Sequence, residues 1–166
     1  MQEFMYSDKG LALTKSFEGL RLEAYQDCGG VWTIGYGHTG EGVTEGRTIS
    51  EADAERLLLA DLAEAVSCVN RTVVEAVLQN QFDAMVDFCF NAGRGNFLQS
   101  TLLRKVNLGD FAGATVQFGL WVHAGGGVVP GLVRRRKAEA ELFAMHATVD
   151  LELAQDQSSF AVSFAK

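Results

Sequence analysis

Proline occurs once in these 166 residues, at Pro130, so little in the chain interrupts long helices. Cysteine is scarce as well. Cys28, Cys68 and Cys89 are an odd number at spacings that match no zinc pattern, which argues for reduced thiols and against a disulfide framework. Cys28, beside Asp27, reads as an oxidisable thiol or, more simply, as a small residue at a turn. Basic residues are outnumbered, 14 against 21 acidic, for a net charge of −7. That excludes the dense Lys and Arg clusters that phosphate binding requires, so neither nucleic acid nor an anionic membrane is an expected partner. No apolar run approaches the roughly 20 residues of a membrane span. The opening "MQEFMYSDKGLALTKSF" carries acids and lysines where a signal peptide needs an unbroken apolar stretch. A cytoplasmic protein without membrane insertion is therefore the expectation. Internal repeats and low-complexity linkers are absent too.

What is present suits a compact, largely helical domain. Hydrophobic residues make up 48% of the chain. A domain of this length buries roughly 70% of the surface its unfolded chain exposes, so it needs no staples. The acidity is uneven. Residues 1–83 hold 14 acids against 6 bases, and residues 84–166 hold 7 against 8, so the basic run "RRRK" (134–137) lies in the near-neutral half.

Local patterns divide the chain. Ser7 or Asp8 can cap a first helix with Leu11, Leu13, Phe17 and Leu20 as its apolar stripe, weakened by Gly19. From Tyr25 to Thr48 the composition turns glycine-rich, with Val31, Trp32, Ile34 and Tyr36 as β-formers, which predicts a hairpin or small sheet. Ser50 and Asp53 form a capping-box start for a helix long enough to bridge two lobes. "NQFDAMVDFCFNAG" puts Phe82, Met85, Val86, Cys89 and Phe90 on a broad apolar face, so a central buried helix ends at Gly93. "STLLRKVNLG" and "GDFAGATVQFGLWV" read as two shorter helices, and Pro130 opens a last one. The expected architecture is α+β and two-lobed within one domain: a small α+β lobe over 1–49, a connecting helix over 50–69, a helical lobe over 70–148 and an unassigned tail over 149–166.

The stretch "FEGLRLEAYQDCGGVWTIGYGHTG" (17–40) spaces Glu18, Asp27 and Thr33 across the first helix-to-strand junction. Glu18 falls near the helix C-terminus, where the dipole's negative end and apolar neighbours both favour the protonated form that a general acid needs. Asp27 begins the glycine-rich segment. On a two-residue repeat Thr33 shares a face with Val31 and can look into a cleft between the lobes, while Trp32 and Ile34 build the core. An acid on one element facing a carboxylate and a hydroxyl on another is the arrangement that cuts a glycosidic bond. As a bare spacing the pattern is weak, because this chain has many acids.

Its surroundings strengthen it. Glu18, Asp27 and Thr33, with Thr33-Ile34-Gly35-Tyr36-Gly37-His38, resemble the signature of phage-type lysozymes, the endolysins of glycoside hydrolase family 24. The helical segments quoted above, with "QFGLWVHAGGGVVPGLVRRRKAEAELF", resemble that family's in order, so the likeness spans roughly residues 8–143. It implies a muramidase, with bacterial peptidoglycan glycan strands as its partner, that hydrolyses the β-1,4 bond between N-acetylmuramic acid and N-acetylglucosamine with inversion. Glu18 is then the general acid, and Asp27 and Thr33 hold the water. No metal or other cofactor is implied, a monomer is expected, and the enzyme would wait in the host cytoplasm until an outside agent releases it to the wall. The acidic charge departs from the basic character of many wall-degrading lysozymes and weakens any expectation of tight non-specific wall binding.

Supporting positions have plainer readings beside the functional ones. His38 is expected to be structural, pairing with a carboxylate or orienting the loop; the resemblance also implies an influence on Glu18, and catalysis by His38 is the minor option. Consecutive helical residues point about 100° apart, so "RRRK" cannot all face one site. Most of the run is expected on a solvated face, with Arg135–Glu139 and Lys137–Glu141 pairs, and one arginine reaching Glu18. Arg135 is favoured over Arg136 for that role. Trp32, Trp121, Phe118 and Phe97 could stack on sugars or fill the core. Gln117 and Asn91 could bind N-acetyl groups, and Asn91 could instead cap a helix. Two other functions compete: a lytic transglycosylase, which would need no water held by Asp27 and Thr33, and a non-catalytic wall-binding module.

Overall fold

A computed structural model describes residues 3–145, and the expected tail over 149–166 lies outside them. The first helix, α1 (Asp8–Glu18), is capped by the Ser7 hydroxyl, which accepts from the Gly10 amide. It stops at Glu18, because Gly19 takes φ 71 and ψ 160, a conformation open essentially only to glycine. Leu20 therefore falls outside the helix whose stripe it was expected to extend.

The chain then enters an antiparallel sheet in the order β1 (Arg21–Gln26), β2 (Trp32–Gly35), β3 (His38–Thr39). Tyr25 pairs with Thr33, and Ile34 pairs with His38. Strand β2 lies between the other two and also packs against the next helix, so three of its four residues are buried. This overrides simple alternation: Ile34 is fully buried as expected, yet Thr33 is only 4% exposed. Trp32 is half-buried, and Val31 is exposed.

Helix α2 (Glu51–Thr72) begins with a complete capping box between Ser50 and Asp53. Ala54, Leu58, Leu62, Ala65 and Val69 recur at three- and four-residue intervals as its buried stripe. It packs against β2 and β3 and against the helices that follow, and so joins the sheet to the rest.

Helix α3 (Gln79–Ala92) is buried without a break from Gln81 to Cys89. It is enclosed by α1, by α2 and by helices formed from Arg94–Gln99 and Pro130–Ala144. Phe88 meets Phe118 and Trp121 edge-on, with ring centroids 5.6 and 5.4 Å away. Phe97 and Phe118 are fully buried, so they fill the core rather than offer faces to sugars.

After Gly93 come α4 (Arg94–Gln99), α5 (Thr101–Val106) and α6 (Phe111–Phe118). A small hairpin of β4 (His123–Ala124) and β5 (Gly127–Val128) leads to α7 (Pro130–Ala144), with Pro130 at its first turn. The short α4 and the hairpin were not anticipated. Helices dominate around one three-stranded antiparallel sheet, so the fold is α+β. No described helix is long and apolar enough to cross a membrane.

Candidate active site

The center of α3 poses a solvation problem. Asp83 and Asp87 point into the protein interior, and a buried carboxylate needs charge-assisted partners. Asp83 accepts from the amide and hydroxyl of Ser7 (3.1 and 2.5 Å), which anchors the start of α1. Asp87 receives a side-on fork from Arg135 of α7: Nε donates to Oδ2 and Nη2 to Oδ1, both at 2.9 Å. The Thr14 hydroxyl of α1 donates to the same Asp87 Oδ1 at 2.7 Å, and the Tyr6 hydroxyl lies 2.7 Å from Thr14 Oγ1. Burial alone would push the Asp87 carboxyl up, but Arg135 and its other hydrogen-bonding neighbours hold it below the usual carboxylate range.

Arg135 has one more arm. Its Nη1 donates to Glu18 Oε1 at 2.5 Å, and the guanidinium lies over the Phe17 ring. Burial works against the cation, yet the two carboxylates together push Arg135 above its ordinary range. Arg136 is buried too. Its Nη2 donates to Asn91 Oδ1 (2.9 Å) and to Glu139 Oε1 (2.5 Å), and it lies over Phe88. The basic run thus divides: Arg134 and Lys137 are exposed, whereas Arg135 and Arg136 are 4% and 1% exposed. The expectation that most of it is solvated is corrected, because α7 is sandwiched against α3 and α6 and turns two successive arginines inward. Of the two pairs proposed on α7, Arg135–Glu139 spans 3.6 Å in the interior and Lys137–Glu141 spans 3.8 Å on the surface. Asn91 neither caps its helix nor stays free, since its amide oxygen is occupied by Arg136.

Among the carboxylates around these arginines, Glu18 alone reaches solvent: its side chain is 23% exposed, against 0% for Asp87 and Glu139. The turn at Gly19 leaves it as the last helical residue, just ahead of β1.

Asp27 is held by backbone instead. It sits in the exposed turn between β1 and β2, where its Oδ1 accepts from the amides of Gly29 (2.8 Å) and Val31 (2.9 Å). The turn is closed by the Asp27 amide donating to the Val31 carbonyl and the Gly30 amide donating to Asp27 (both 3.0 Å). Among the described residues, no amide donates to Asp27 Oδ2. Thr33, next along β2, donates its hydroxyl proton to the Val31 carbonyl at 3.0 Å, which leaves its oxygen able to accept. Asp27 and Thr33 therefore share Val31 as a structural anchor. His38 on β3 places Nδ1 3.0 Å from both oxygens of Asp61 on α2 and so ties the sheet to that helix. Cys28 is exposed in the same turn as Asp27.

Chemically, this is a side-chain-anchored carboxyl group at a helix end and a turn-anchored carboxylate with a hydroxyl neighbour on the sheet. Comparison with known proteins gives the arrangement its relatives. The family described as phage lysozyme matches residues 15–139. The chain belongs to the phage lysozyme family. As such it is a glycoside hydrolase, a lysozyme of the peptidoglycan-degrading class. An endolysin of Acyrthosiphon pisum secondary endosymbiont phage 1 is 43% identical over 141 residues, covering 82% of this chain and 96% of the relative. The solved muramidase domain of SpmX from Asticaccaulis excentricus is 43% identical with a TM-score of 0.78, covering 86% of this chain and 99% of that one. An endolysin from Escherichia coli O157:H7 phage FAHEc1 gives 36% identity and a TM-score of 0.80, over 86% of this chain and 95% of its own. The phage lysozyme match begins at Lys15 and ends at Glu139, so it takes in Glu18, the sheet and the arginine pair alike.

Proposed function

We propose that Glu18 is the general acid in hydrolysis of the β-1,4 bond between N-acetylmuramic acid and N-acetylglucosamine, and that Asp27 and Thr33 hold the attacking water. The observation that carries this is the selective exposure of Glu18 within the arginine cluster: it is the one carboxyl group there that a substrate can meet. Arg135 engages Oε1, so the transferable proton belongs on Oε2, directed at the glycosidic oxygen. As that oxygen takes the proton and the C–O bond breaks, positive charge develops at the anomeric carbon. Water then adds from the opposite side of the ring. Its departing proton goes to Asp27 through Oδ2, the oxygen without backbone partners, while Thr33 Oγ1 accepts the second water hydrogen. Attack opposite the leaving group inverts the anomeric center.

Glu18→Gln keeps the shape and the Arg135 contact but has no acidic proton to give. It is expected to abolish release of reducing ends from purified cell walls with a melting temperature near wild type. A fully active variant removes Glu18 from the mechanism. Proton NMR of the products separates this reading from a lytic transglycosylase: hydrolysis with inversion gives one anomer first, whereas 1,6-anhydro ends would mean that no water was used. A protein that binds walls in pull-down yet releases no soluble muropeptide would be the non-catalytic module. We place the enzyme, as a monomer, in the host cytoplasm before its release to the wall.

A further inference from the structure

The arginine cluster contains a third carboxyl group that the reaction above does not use. Glu139 lies on α7, is fully buried, accepts at Oε1 from Arg136 Nη2 at 2.5 Å, and has the same oxygen 3.6 Å from Arg135 Nε. Its Oε2 is buried with no hydrogen-bond partner if Glu139 is read as a carboxylate. Leaving such an oxygen dry and ionised is among the costliest things a core can do. The neighbouring groups show how the cost is avoided. Asp87 sits on the adjoining helix, already accepting two guanidinium bonds and one hydroxyl bond, and it interacts with Glu139 closely enough for the two carboxyl groups to affect each other's protonation.

We propose that Glu139 is held as a neutral carboxylic acid whose Oε2–H is donated to Asp87, and that Asp87 and Glu139 together are positioning residues that set, through Arg135, where the Glu18 carboxyl group lies. The proton turns the orphaned oxygen into a donor. It leaves Asp87 as the single fully buried anion facing Arg135, so that the side-on edge of the guanidinium is committed to Asp87 and only Nη1 remains for Glu18. Burial, with Asp87 beside it, pushes the Glu139 carboxyl up to about 10, in keeping with this assignment. The charged and titratable groups around the pair are Arg135 and Arg136 on α7, Glu18 on α1, and Tyr6 ahead of α1, itself pushed above its ordinary range by burial and by Asp87.

The first test does not depend on the catalytic reading of Glu18. The infrared difference spectrum between wild type and Glu139→Gln at neutral pH should contain the C=O stretch of a protonated acid, shifted in heavy water. A carboxylate difference band in its place overturns the neutral acid. The second test rests on the Glu18 reading. Glu139→Ala should lower kcat by about ten- to a hundredfold with KM little changed, the scale of a slightly misplaced catalytic group. Glu139→Gln, which keeps a donor for Asp87 and an acceptor for Arg136, should restore most of that loss. In Asp87→Asn, Arg135 loses its fully buried anion and its charge acts more strongly on Glu18, so the pH above which kcat falls should move lower. An unchanged pH profile in Asp87→Asn, or no rescue by Glu139→Gln, overturns the positioning role. If Glu18→Gln itself proved active, the infrared result would still decide the state of Glu139.

Discussion

Around Glu18, side chains are fixed by other side chains: Arg135, Asp87, Thr14 and Tyr6 form a dry chain running across three helical segments. Around Asp27 the anchors are main-chain amides of a single turn, and the residue itself is exposed. The two halves of the site thus draw on different reserves. A proton donor gains from a low-dielectric frame that fixes one oxygen and leaves the other free, and such a frame can only be assembled from distant parts of the chain. A base that handles water must stay wet, and a turn of five residues from Asp27 to Val31 can orient it without help from the core. Damage on the first side should therefore spread into folding, whereas damage on the second should stay local.

Arg135→Ala is the most severe way to break this contrast. It strands Asp87 in the core without its guanidinium, and loss of one partner from a buried ion pair costs about 3–5 kcal/mol. Urea unfolding should show that loss with an unchanged m-value. Asp27→Asn probes the opposite side. The amide oxygen can still accept from Gly29 and Val31, so the melting temperature should hold, while kcat on cell walls falls by about 10²–10⁴ as a general base is lost. Gly19→Ala strikes the seam between the halves. Its φ of 71 and ψ of 160 lie in a region that a side chain enters at a cost of roughly 1–3 kcal/mol. Here stability and kcat should drop together, because the strain is relieved by moving Glu18.

The most gradual effect is a slope with pH. Glu139 is raised from an ordinary 4.5 to about 10 by burial and by Asp87, so the folded state keeps a proton that the unfolded chain releases. Its contribution to stability is complete in acid below pH 4.5 and is lost progressively as the pH rises toward 10. Glu139→Gln has nothing to titrate. Melting curves of the two proteins should lie close together near pH 5 and diverge in favour of the variant toward pH 9.

The sequence made much of the local structure legible, because caps act over three or four residues. Ser7 and Ser50 hold their helices as read, Pro130 opens α7, and Gly93 closes α3 with φ 91. The β4–β5 hairpin was missed although Gly125-Gly126, both at positive φ, is a recognisable two-residue turn; its strands are only two residues long and carry no alternation. Glu18, Asp27 and Thr33 stood out through a motif. Their supporting cast did not, because Tyr6, Thr14, Asp87 and Glu139 are brought together by tertiary packing and no spacing reports that. One signal was available: Asp87 interrupts the apolar run "AMVDFCF", and an acid in a helix buried on every side must have a cation somewhere. Arg135, already favoured as the arginine that reaches Glu18, was the obvious supply, while the burial of Arg136 was hidden by the habit of reading a basic run as surface.

The turn that carries Asp27 also offers a handle for experiment. Cys28 is exposed, whereas Cys68 and Cys89 are buried and burial pushes the Cys89 thiol up to about 12. A maleimide fluorophore at neutral pH should accordingly attach to one position alone, adjacent to Asp27. The native chain, with no cysteine added or removed, could then report glycan arrival by its own change in emission.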